Sequence, residues 1–472
     1  MKKLFYLLPL FVMSGLNCTG QANPPKDSAY DPEMFDRAFE AFREKRIVKK
    51  TFKHEDIMPL IEHRKQGSVF SVKALGASVE GRSVYQLTCG KGETKVMLWS
   101  QMHGDESTAT MALFDIFNFL EGENDGFDAL RNHILEHTTL YFIPMLNPDG
   151  AERFRRRNSY DFDLNRDAVR AQAPESVILR EAREREQPDF GFNLHDQNIY
   201  YNVSGTSTPA TISVLAPAFN EAREVNEVRK RAMQVIVGMN RLLQQYIPGG
   251  VGKYDDTFEP RAFGDNFQKW GTSTILIESG GYPDDPEKQY IRKLNFAVIL
   301  NALSEIASEN YREYETEEYF RIPDNDSKLT DLLIRNVEIR RSDSKRYRTD
   351  ISIKQGEGLP RIRDLGDLSV FYGYRELDAS GYTWMPGKVY NKVYPSVRAI
   401  APEEADSLLK KGYIAVRVNS LPEDDKTDLP LLLLPEKEKL HGDLFIGRPG
   451  YFFLAKEGKP VYAIVDGEIV KL

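Results

Sequence analysis

Two spacings of apolar residues alternate along the chain between residue 94 and about residue 305. Short apolar runs such as 96–99 and 273–277 are typical of buried parallel strands. The segment 108–120 instead carries its apolar residues at helical spacing. Because strand, loop and helix follow one another repeatedly, the pattern predicts an α/β fold. We expect a mostly parallel or mixed sheet with helices on both faces.

The pattern changes near residue 320. The segment 311–319 is acidic, and 322–327 is a polar break of the kind that separates domains. From residue 329 onward short strands and turns dominate. The 472 residues leave room for two or three cores. We therefore predict a first domain over residues 23–315 and a mainly β sandwich domain over residues 328–472.

The N-terminus has the pattern of a secretory signal peptide. Two lysines at positions 2 and 3 precede the apolar run 4–13, which is too short to span a membrane. Two processing routes fit residues 1–22: lipidation of Cys18 as in a bacterial lipoprotein, or cleavage after Ala22. We expect an exported protein that is periplasmic, extracellular or an outer-membrane lipoprotein. A lipid on Cys18 is the only membrane link we expect.

The charge of the chain argues against one class of function. The formal net charge is -8, and no basic tract interrupts the acidic balance. A nucleic-acid-binding protein needs a positively charged surface. We therefore expect no nucleic-acid partner.

Three residues with metal or proton chemistry each follow a predicted strand. His103, His195 and Glu278 come directly after apolar runs, and ligands of such sheets bind beyond the carboxyl ends of the strands. Glu106 lies three residues after His103, and Gly104 between them permits a sharp turn. Two histidines and one carboxylate form an open zinc site that leaves a fourth position for water. Glu278 would then be the general base for that water.

Further motifs occur in a fixed order around these residues. They are Leu75–Arg82, His103–Glu106, Asn147–Gly150, Arg156 with Asn158, Asp163–Arg166, His195 and Glu278. Through them, residues 68–305 resemble the zinc carboxypeptidases of the metallopeptidase M14 family.

The resemblance implies a role for each site residue. His103, Glu106 and His195 would hold one zinc ion per chain, and Glu278 would be the catalytic base. Arg156 would stabilise the oxyanion of the tetrahedral intermediate; its choice over Arg157 rests on register. Asn165 and Arg166 would bind the free C-terminal carboxylate of a peptide substrate.

Two departures from the family pattern leave the substrate open. The expected capping tyrosine should lie near Thr257 and Phe258, whereas Tyr254 is off register, and Asp105 stands where arginine is common. Acyl-amino-acid deacylases of the same superfamily share the His-Gly-Asp/Asn-Glu motif. We predict a secreted zinc metallocarboxypeptidase. The alternative is a zinc amidase or deacylase acting on N-acyl amino acids or cell-wall peptides.

A third reading is a binding protein that keeps the fold without catalysis, although the three ligands and the base argue against it. The C-terminal region resembles the β-sandwich domain of amidohydrolases without their metal-binding barrel. We therefore expect a non-catalytic accessory module, and truncation near Asp324 should leave the chemistry intact. The sequence leaves the oligomeric state open.

Overall fold

The computed structural model describes residues 31–340, 345–355, 359–421, 429–440 and 442–472. The predicted signal peptide, with Cys18, lies outside these residues. In the described part of the chain, no helix combines the length and the apolar character that a membrane crossing requires.

The helices of the described residues are α1 Pro32–Phe42, α2 His54–Arg64, α3 Thr108–Glu121, α4 Asp128–His137, α5 Pro148–Glu152, α6 Pro174–Glu186, α7 Glu227–Tyr246, α8 Phe263–Lys269, α9 Gln289–Ser308, α10 Thr316–Arg321 and α11 Pro402–Lys410. The strands that precede residue 325 are β1 Ser71–Ala77, β2 Ser83–Gly90, β3 Thr94–Ser100, β4 Thr138–Ile143, β5 Phe190–Asp196, β6 Asn202–Val203, β7 Ile212–Leu215, β8 Val251–Lys253 and β9 Ser273–Ser279. The later strands are β10 Asn325–Asp326, β11 Leu329–Arg340, β12 Arg346–Lys354, β13 Arg361–Gly366, β14 Tyr372–Asp378, β15 Thr383–Met385, β16 Lys388–Tyr394, β17 Tyr413–Val418, β18 Leu432–Pro435, β19 Phe452–Lys456, β20 Lys459–Val465 and β21 Glu468–Lys471.

The first eight-stranded sheet has the order β1-β2-β4-β3-β5-β9-β7-β8. Its centre is parallel, since β3 pairs in parallel with β4 and β5, and β5 pairs in parallel with β9. The pairs β1–β2, β2–β4 and β7–β9 are antiparallel. The predicted mixed α/β sheet is therefore confirmed.

Alternate residues of the central strands enter two different cores. Val96 and Leu98 of β3 pack into a large core with residues of α3, α7 and α9. Met97 and Trp99 point the other way, into a smaller core formed with α6 and α8. Both faces of the sheet are thus covered by helices, which explains why these strands read as continuous apolar runs.

The C-terminal region, residues 329–472, is rich in strands, as the sequence predicted. One sheet has the path β13-β12-β11-β15-β19-β20-β21, and β14 pairs in parallel with β11. A second sheet of three parallel strands, β16-β17-β18, packs with α11. The small parallel unit is an addition to the predicted sandwich, because the crossover through α11 makes the strands parallel.

Candidate active site

The turn after β3 carries His103 into the interior. His103 is buried, and Gly104 packs so closely against the α5 segment that a Cβ would overlap the backbone of Gly150. Asn147 fixes this approach, because its side-chain amide donates to the carbonyls of Met102 (3.2 Å) and Arg156 (3.3 Å). The Asn147–Gly150 motif thus holds the turn that presents the histidine.

The motif Leu75–Arg82 reaches the same place through Asp149. The carboxylate of Asp149 is buried and accepts hydrogen bonds from the Ser78 hydroxyl (2.7 Å), the Glu80 amide (2.9 Å) and the Arg82 guanidinium (2.7 Å). The β1–β2 loop is therefore joined to α5, directly beside the turn that carries His103.

His195 and Glu278 lie side by side on neighbouring parallel strands. They are direct register partners of β5 and β9, so their side chains point to the same face of the sheet. Both strands extend one residue beyond the site residue, to Asp196 and Ser279. The prediction that the two strands end before these residues is therefore wrong, because ladder pairing continues past the apolar run.

The side chains of His103, Glu106 and His195 converge on one point, with ligand atoms all within 4.8 Å of one another. The Nδ1 atoms of the two imidazoles are 3.1 Å apart. Glu106 reaches both rings: Oε1 is 2.8 Å from His103 Nδ1, and Oε2 is 2.6 Å from His195 Nδ1. The structure brings the three predicted ligands together.

This donor set fits a metal ion. His103 Nε2 lies 3.0 Å from Asp163 Oδ1, which can only accept when ionised, so Nε2 carries the ring proton. The lone pair of His103 Nδ1 then faces the carboxylate of Glu106. Two lone pairs at such a distance repel each other unless a cation lies between them, either a proton on Nδ1 or a metal ion. Two imidazoles and one carboxylate are the ligand types of an open zinc site.

The electrostatics of the cluster point the same way. Burial by itself would raise the pKa of Glu106, but the facing imidazoles of His103 and His195 hold that pKa well below its usual value. Burial disfavours the charged form of His103, yet the carboxylates of Glu106 and Asp163 raise its pKa to about 9. Positive charge is therefore favoured at His103, between the two carboxylates, whereas burial lowers the pKa of His195.

Glu278 is in the opposite situation. Burial raises its pKa well above the usual value, and the negative charges of Glu106 and Asp196 raise it further. A raised pKa makes the protonated form of a carboxyl group more accessible, which is a property of groups that both take up and release protons in catalysis.

Arg156 borders the ligand cluster. Its Nη1 lies 3.1 Å from His103 Nδ1 and 3.2 Å from Glu106 Oε1. Its Nε and Nη2 donate to Asp163 Oδ2 at 3.1 and 3.0 Å. Among the three consecutive arginines, Arg157 bonds the Asp161 carbonyl instead. The register choice of Arg156 thus agrees with its place beside the ligands.

Asn165 and Arg166 lie on the rim of the same cleft, in the 3₁₀ turn Leu164–Arg166. Asn165 Oδ1 accepts from the amide of Phe263 (2.9 Å), which fixes the start of α8. Arg166 is partly exposed, and its Nε lies 3.2 Å from Glu259 Oε2. A carboxylate of the chain itself therefore contacts the guanidinium that was predicted to bind the substrate.

The cleft has a volume of about 490 Å³ and opens beside the ligands. Leu276 and Asn193 lie on the strands that carry Glu278 and His195, two residues before each, and line the cleft beyond them. Asp265 of α8 also faces it, and burial raises the pKa of Asp265 to about 7. Beyond His195 and Glu278, the cleft is therefore a mixed polar and apolar space.

Tyr254 also lines this cleft, as does Phe258. The ring of Tyr254 lies 5.9 Å from that of Tyr201, and burial together with Glu278 raises its pKa. An aromatic hydroxyl is thus present near the catalytic groups, although it comes from a position that differs from the expected one.

Two supports of the site were missed by sequence reasoning. Asp163 was noted only as part of a motif, yet it contacts both His103 and Arg156. Lys288 was not singled out. Its buried ammonium group bonds Asp196 Oδ2 (3.0 Å) and the Ser279 carbonyl (2.8 Å), and so links the ends of β5 and β9. Only the fold brings Lys288 to these partners; no local pattern marks it.

The comparisons with known proteins agree on the type of domain. Residues 60–234 match the family model Peptidase_M14, described as zinc carboxypeptidase. Carboxypeptidase M of Mus musculus is 25% identical over 151 residues, which are 27% of this chain and 34% of that protein. Carboxypeptidase D of Homo sapiens is 30% identical over 109 residues, 20% of this chain and 8% of that protein. The chain thus spans less than two thirds of these relatives.

Two solved structures align with about half of this chain. A metallo-carboxypeptidase from Burkholderia cenocepacia aligns with a TM-score of 0.45 and 20% identity, over 55% of this chain and 70% of that one. A metallo-carboxypeptidase from Pseudomonas aeruginosa aligns with a TM-score of 0.41 and 19% identity, over 55% of this chain and 70% of that one.

The family match includes His103, Glu106, Arg156, Asn165, Arg166 and His195, whereas Glu278 lies beyond it. The resemblance found in the motifs is confirmed by the family model. Over residues 60–234 this chain is thus similar to the zinc carboxypeptidase family, Peptidase_M14.

Proposed function

We propose that this chain is a zinc-dependent hydrolase that removes C-terminal residues from peptides and holds one zinc ion per chain. One observation carries the proposal. The three ligand atoms converge at the end of β3 and β5, beside Glu278 on the next strand and at the mouth of an open cleft. Such a set supplies metal, base and substrate space together.

His103, Glu106 and His195 would hold the zinc ion. When bound, zinc lowers the pKa of a water molecule and polarises a carbonyl group. Glu278 would take the proton of the attacking water and deliver it to the departing amine. The raised pKa of Glu278 makes its protonated form, the one that donates to the amine, more accessible than in an ordinary glutamate. Arg156 would donate to the developing oxyanion.

Arg166 would pair with the free α-carboxylate of the substrate. Its guanidinium offers a planar set of donors that can form two charge-assisted hydrogen bonds with a carboxylate. The neutral amide group of an amidated C-terminus cannot form both of these bonds. Because Arg166 is partly exposed and already contacts Glu259, we expect a moderate preference. Peptides with a free C-terminus should be cleaved with a kcat/KM about 10- to 100-fold above that of amidated peptides.

Product analysis by mass spectrometry on matched peptides with free and amidated C-termini tests the proposal. Stepwise loss of single C-terminal residues from long peptides is expected. Cleavage restricted to short N-acyl amino acids, with long peptides untouched, would instead establish the amidase or deacylase alternative. Zinc analysis of the same sample gives the number of ions per chain, which we expect to be one.

Export remains part of the proposal and rests on the pattern of residues 1–22. Cell fractionation of the natural host should recover the protein outside the cytoplasm. Replacement of Cys18 by Ser separates the two processing routes. If Cys18 carries lipid, the variant should lose its membrane fraction. If cleavage follows Ala22, the distribution should not change.

A further inference from the structure

Two loops leave the strands that carry His195 and Glu278. The first, residues 197–201, follows β5, and the second, residues 280–282, follows β9. Gln197, Asn198 and Tyr201 of the first loop line the active-site cleft. The position of this loop therefore shapes one wall of the substrate space.

The C-terminal region contacts the first loop through Asp331 of β11. The hydroxyl of Tyr200 donates to Asp331 Oδ2 at 2.5 Å, and it lies 2.9 Å from the Gln355 carbonyl. The amide of Leu329 donates to the Tyr200 carbonyl at 3.1 Å. Tyr200 is buried by these contacts. Tyr200, which directly precedes the cleft residue Tyr201, is thus held through both its side chain and its backbone.

Tyr374 of β14 reaches both loops at once. Its hydroxyl donates to the Ile199 carbonyl at 2.5 Å. The same hydroxyl fills the space beside Gly281, where a Cβ would overlap it. Since β14 pairs in parallel with β11, Tyr374 and Asp331 lie on neighbouring strands of one sheet. This pair of strands therefore contacts both active-site loops.

The segment that connects the two sheets, which contains β10, also contacts the region of the first loop. β10 pairs with β6 directly after the first loop, with Asn325 opposite Val203. The Asn325 side chain donates to Gln197 Oε1 at 3.1 Å and to Ser213 Oγ at 3.0 Å. The segment predicted to be a polar break between domains is thus bonded to a residue that lines the cleft.

We propose that the C-terminal region contributes to the active site, with Tyr374 and Asp331 as positioning residues for the first loop. They hold Ile199 and Tyr200, and thereby set the cleft wall formed by Asn198 and Tyr201. This inference rests on the proposed peptidase function for its kinetic readout. It replaces the expectation of a detachable accessory module.

Steady-state kinetics of the full-length holoenzyme on one peptide test the proposal. In Tyr374→Phe with Asp331→Ala, KM should rise at least about 10-fold while kcat stays within about threefold. Partial unfolding would instead lower the apparent kcat and leave KM unchanged. Asp331→Asn keeps an acceptor for Tyr200 and should recover much of the loss. Tyr394→Phe is the matched control, since Tyr394 donates to Glu404 within the C-terminal region at 2.6 Å.

Hydrogen exchange gives a readout that needs no activity. Amides of residues 198–203 should exchange at least about 10-fold faster in the double variant than in Tyr394→Phe. Faster exchange with an unchanged KM would overturn the positioning role, and so would unchanged exchange. If the wild type cleaves no peptide, the proposed function fails, while the exchange result still decides whether this region holds the loop.

Gly281→Ala examines the second loop. The added methyl group should collide with the Tyr374 hydroxyl and raise KM. Adding Tyr374→Phe removes one of the colliding atoms, so the pair should be less impaired than the sum of the single changes predicts. Strict additivity would mean that the phenol does not press on Gly281, and would overturn this contact.

Discussion

Glu106 and Glu278 show how position decides the charge that a carboxyl group carries. Glu106 faces two imidazoles, which hold its pKa low in spite of burial. For Glu278, burial and the charge of Glu106 outweigh the opposing effect of His103 and raise its pKa. The first carboxylate is therefore suited to bind a cation, and the second to exchange a proton.

Changing Glu278 to Gln tests this assignment. The amide keeps the shape of the side chain but cannot take a proton, so kcat should fall at least about 100-fold. Zinc content should stay at the wild-type level, because Glu278 is not among the converging ligands. His195→Ala is the contrasting variant and should lose zinc. Near-normal turnover in the Gln variant would assign the proton transfer to another residue.

Glu259 gives a second prediction at this scale. Its carboxylate contacts Arg166, so it competes with a substrate carboxylate for the same guanidinium. Glu259→Gln should lower KM for free-carboxylate peptides about two- to fivefold, the range of a partly exposed ion pair. Arg261→Gln serves as the control, because Arg261 also contacts the carboxylate of Glu259. An unchanged or higher KM in Glu259→Gln would exclude the competition.

The sequence revealed the residues whose chemistry is marked locally. His103, His195 and Glu278 could be found because each follows an apolar run, and the structure brings all three to one site. Asp163 and Lys288 could not be assigned their contacts, since their partners lie far away in the chain and no spacing indicates them. The assigned catalytic and binding roles stay predictions until they are measured.

At the scale of elements, the parallel pair β5–β9 determines the site. Register pairing places His195 beside Glu278. Lys288, just before α9, links the ends of the two strands through its bonds to Asp196 and Ser279. The apolar runs indicated that these strands exist. Their true ends were missed, because backbone pairing continues through polar residues such as Asp196.

Lys288→Met should destabilise the fold strongly. The change leaves the buried carboxylate of Asp196 without its cation, at a cost of about 3–5 kcal/mol in the free energy of unfolding. Lys293→Met in the first turns of α9 should cost only about 0–1 kcal/mol, since its partner Asp36 is half-exposed. Denaturant unfolding measures both. Adding Asp196→Asn to Lys288→Met should restore part of the loss, and absence of any restoration would contradict the pairing.

At the scale of the whole molecule, a carboxyl group buried between two helices of the large core makes stability depend on pH. Glu305 of α9 is buried against Gly238 of α7, and burial raises its pKa to about 8. Its Oε1 accepts from the Tyr314 hydroxyl at 3.0 Å. In the unfolded chain the pKa returns to the ordinary value of about 4.5. The folded state therefore binds more protons between these two values.

It follows that the contribution of Glu305 to the free energy of unfolding is fully present below about pH 4.5 and is lost as pH rises through about 8. Glu305→Gln should remove this decrease of the free energy of unfolding with pH. At pH 8.5 it should raise that free energy by about 2–4 kcal/mol. Melting temperatures at pH 5.5 and 8.5 measure it. Glu317→Gln, an exposed change of equal charge, controls for net charge. If the melting temperature changed equally between pH 5.5 and 8.5 in the wild type and in Glu305→Gln, the pH dependence could not be assigned to Glu305.

The broad organisation of the molecule could be predicted from the sequence, whereas the relation between its parts could not. The change of periodicity near residue 320 indicated a β-rich C-terminal region. That region contacts the active-site loops through Tyr374 and Asp331, which have no distinctive local pattern. Contacts of this kind depend on how two sheets are placed relative to each other, and hydrophobic spacing carries no information on that placement.

The β6–β10 pairing has a consequence for how this architecture can change over time. In this chain β6 pairs with residues 208–209 on one side and with Asn325–Asp326 on the other. In a relative without the C-terminal region, one side of this segment would be unpaired unless the segment were shortened or another strand were supplied there. The length of that segment and the presence of the appended region should therefore be inherited together, and a survey of related chains would reveal such linked gain and loss.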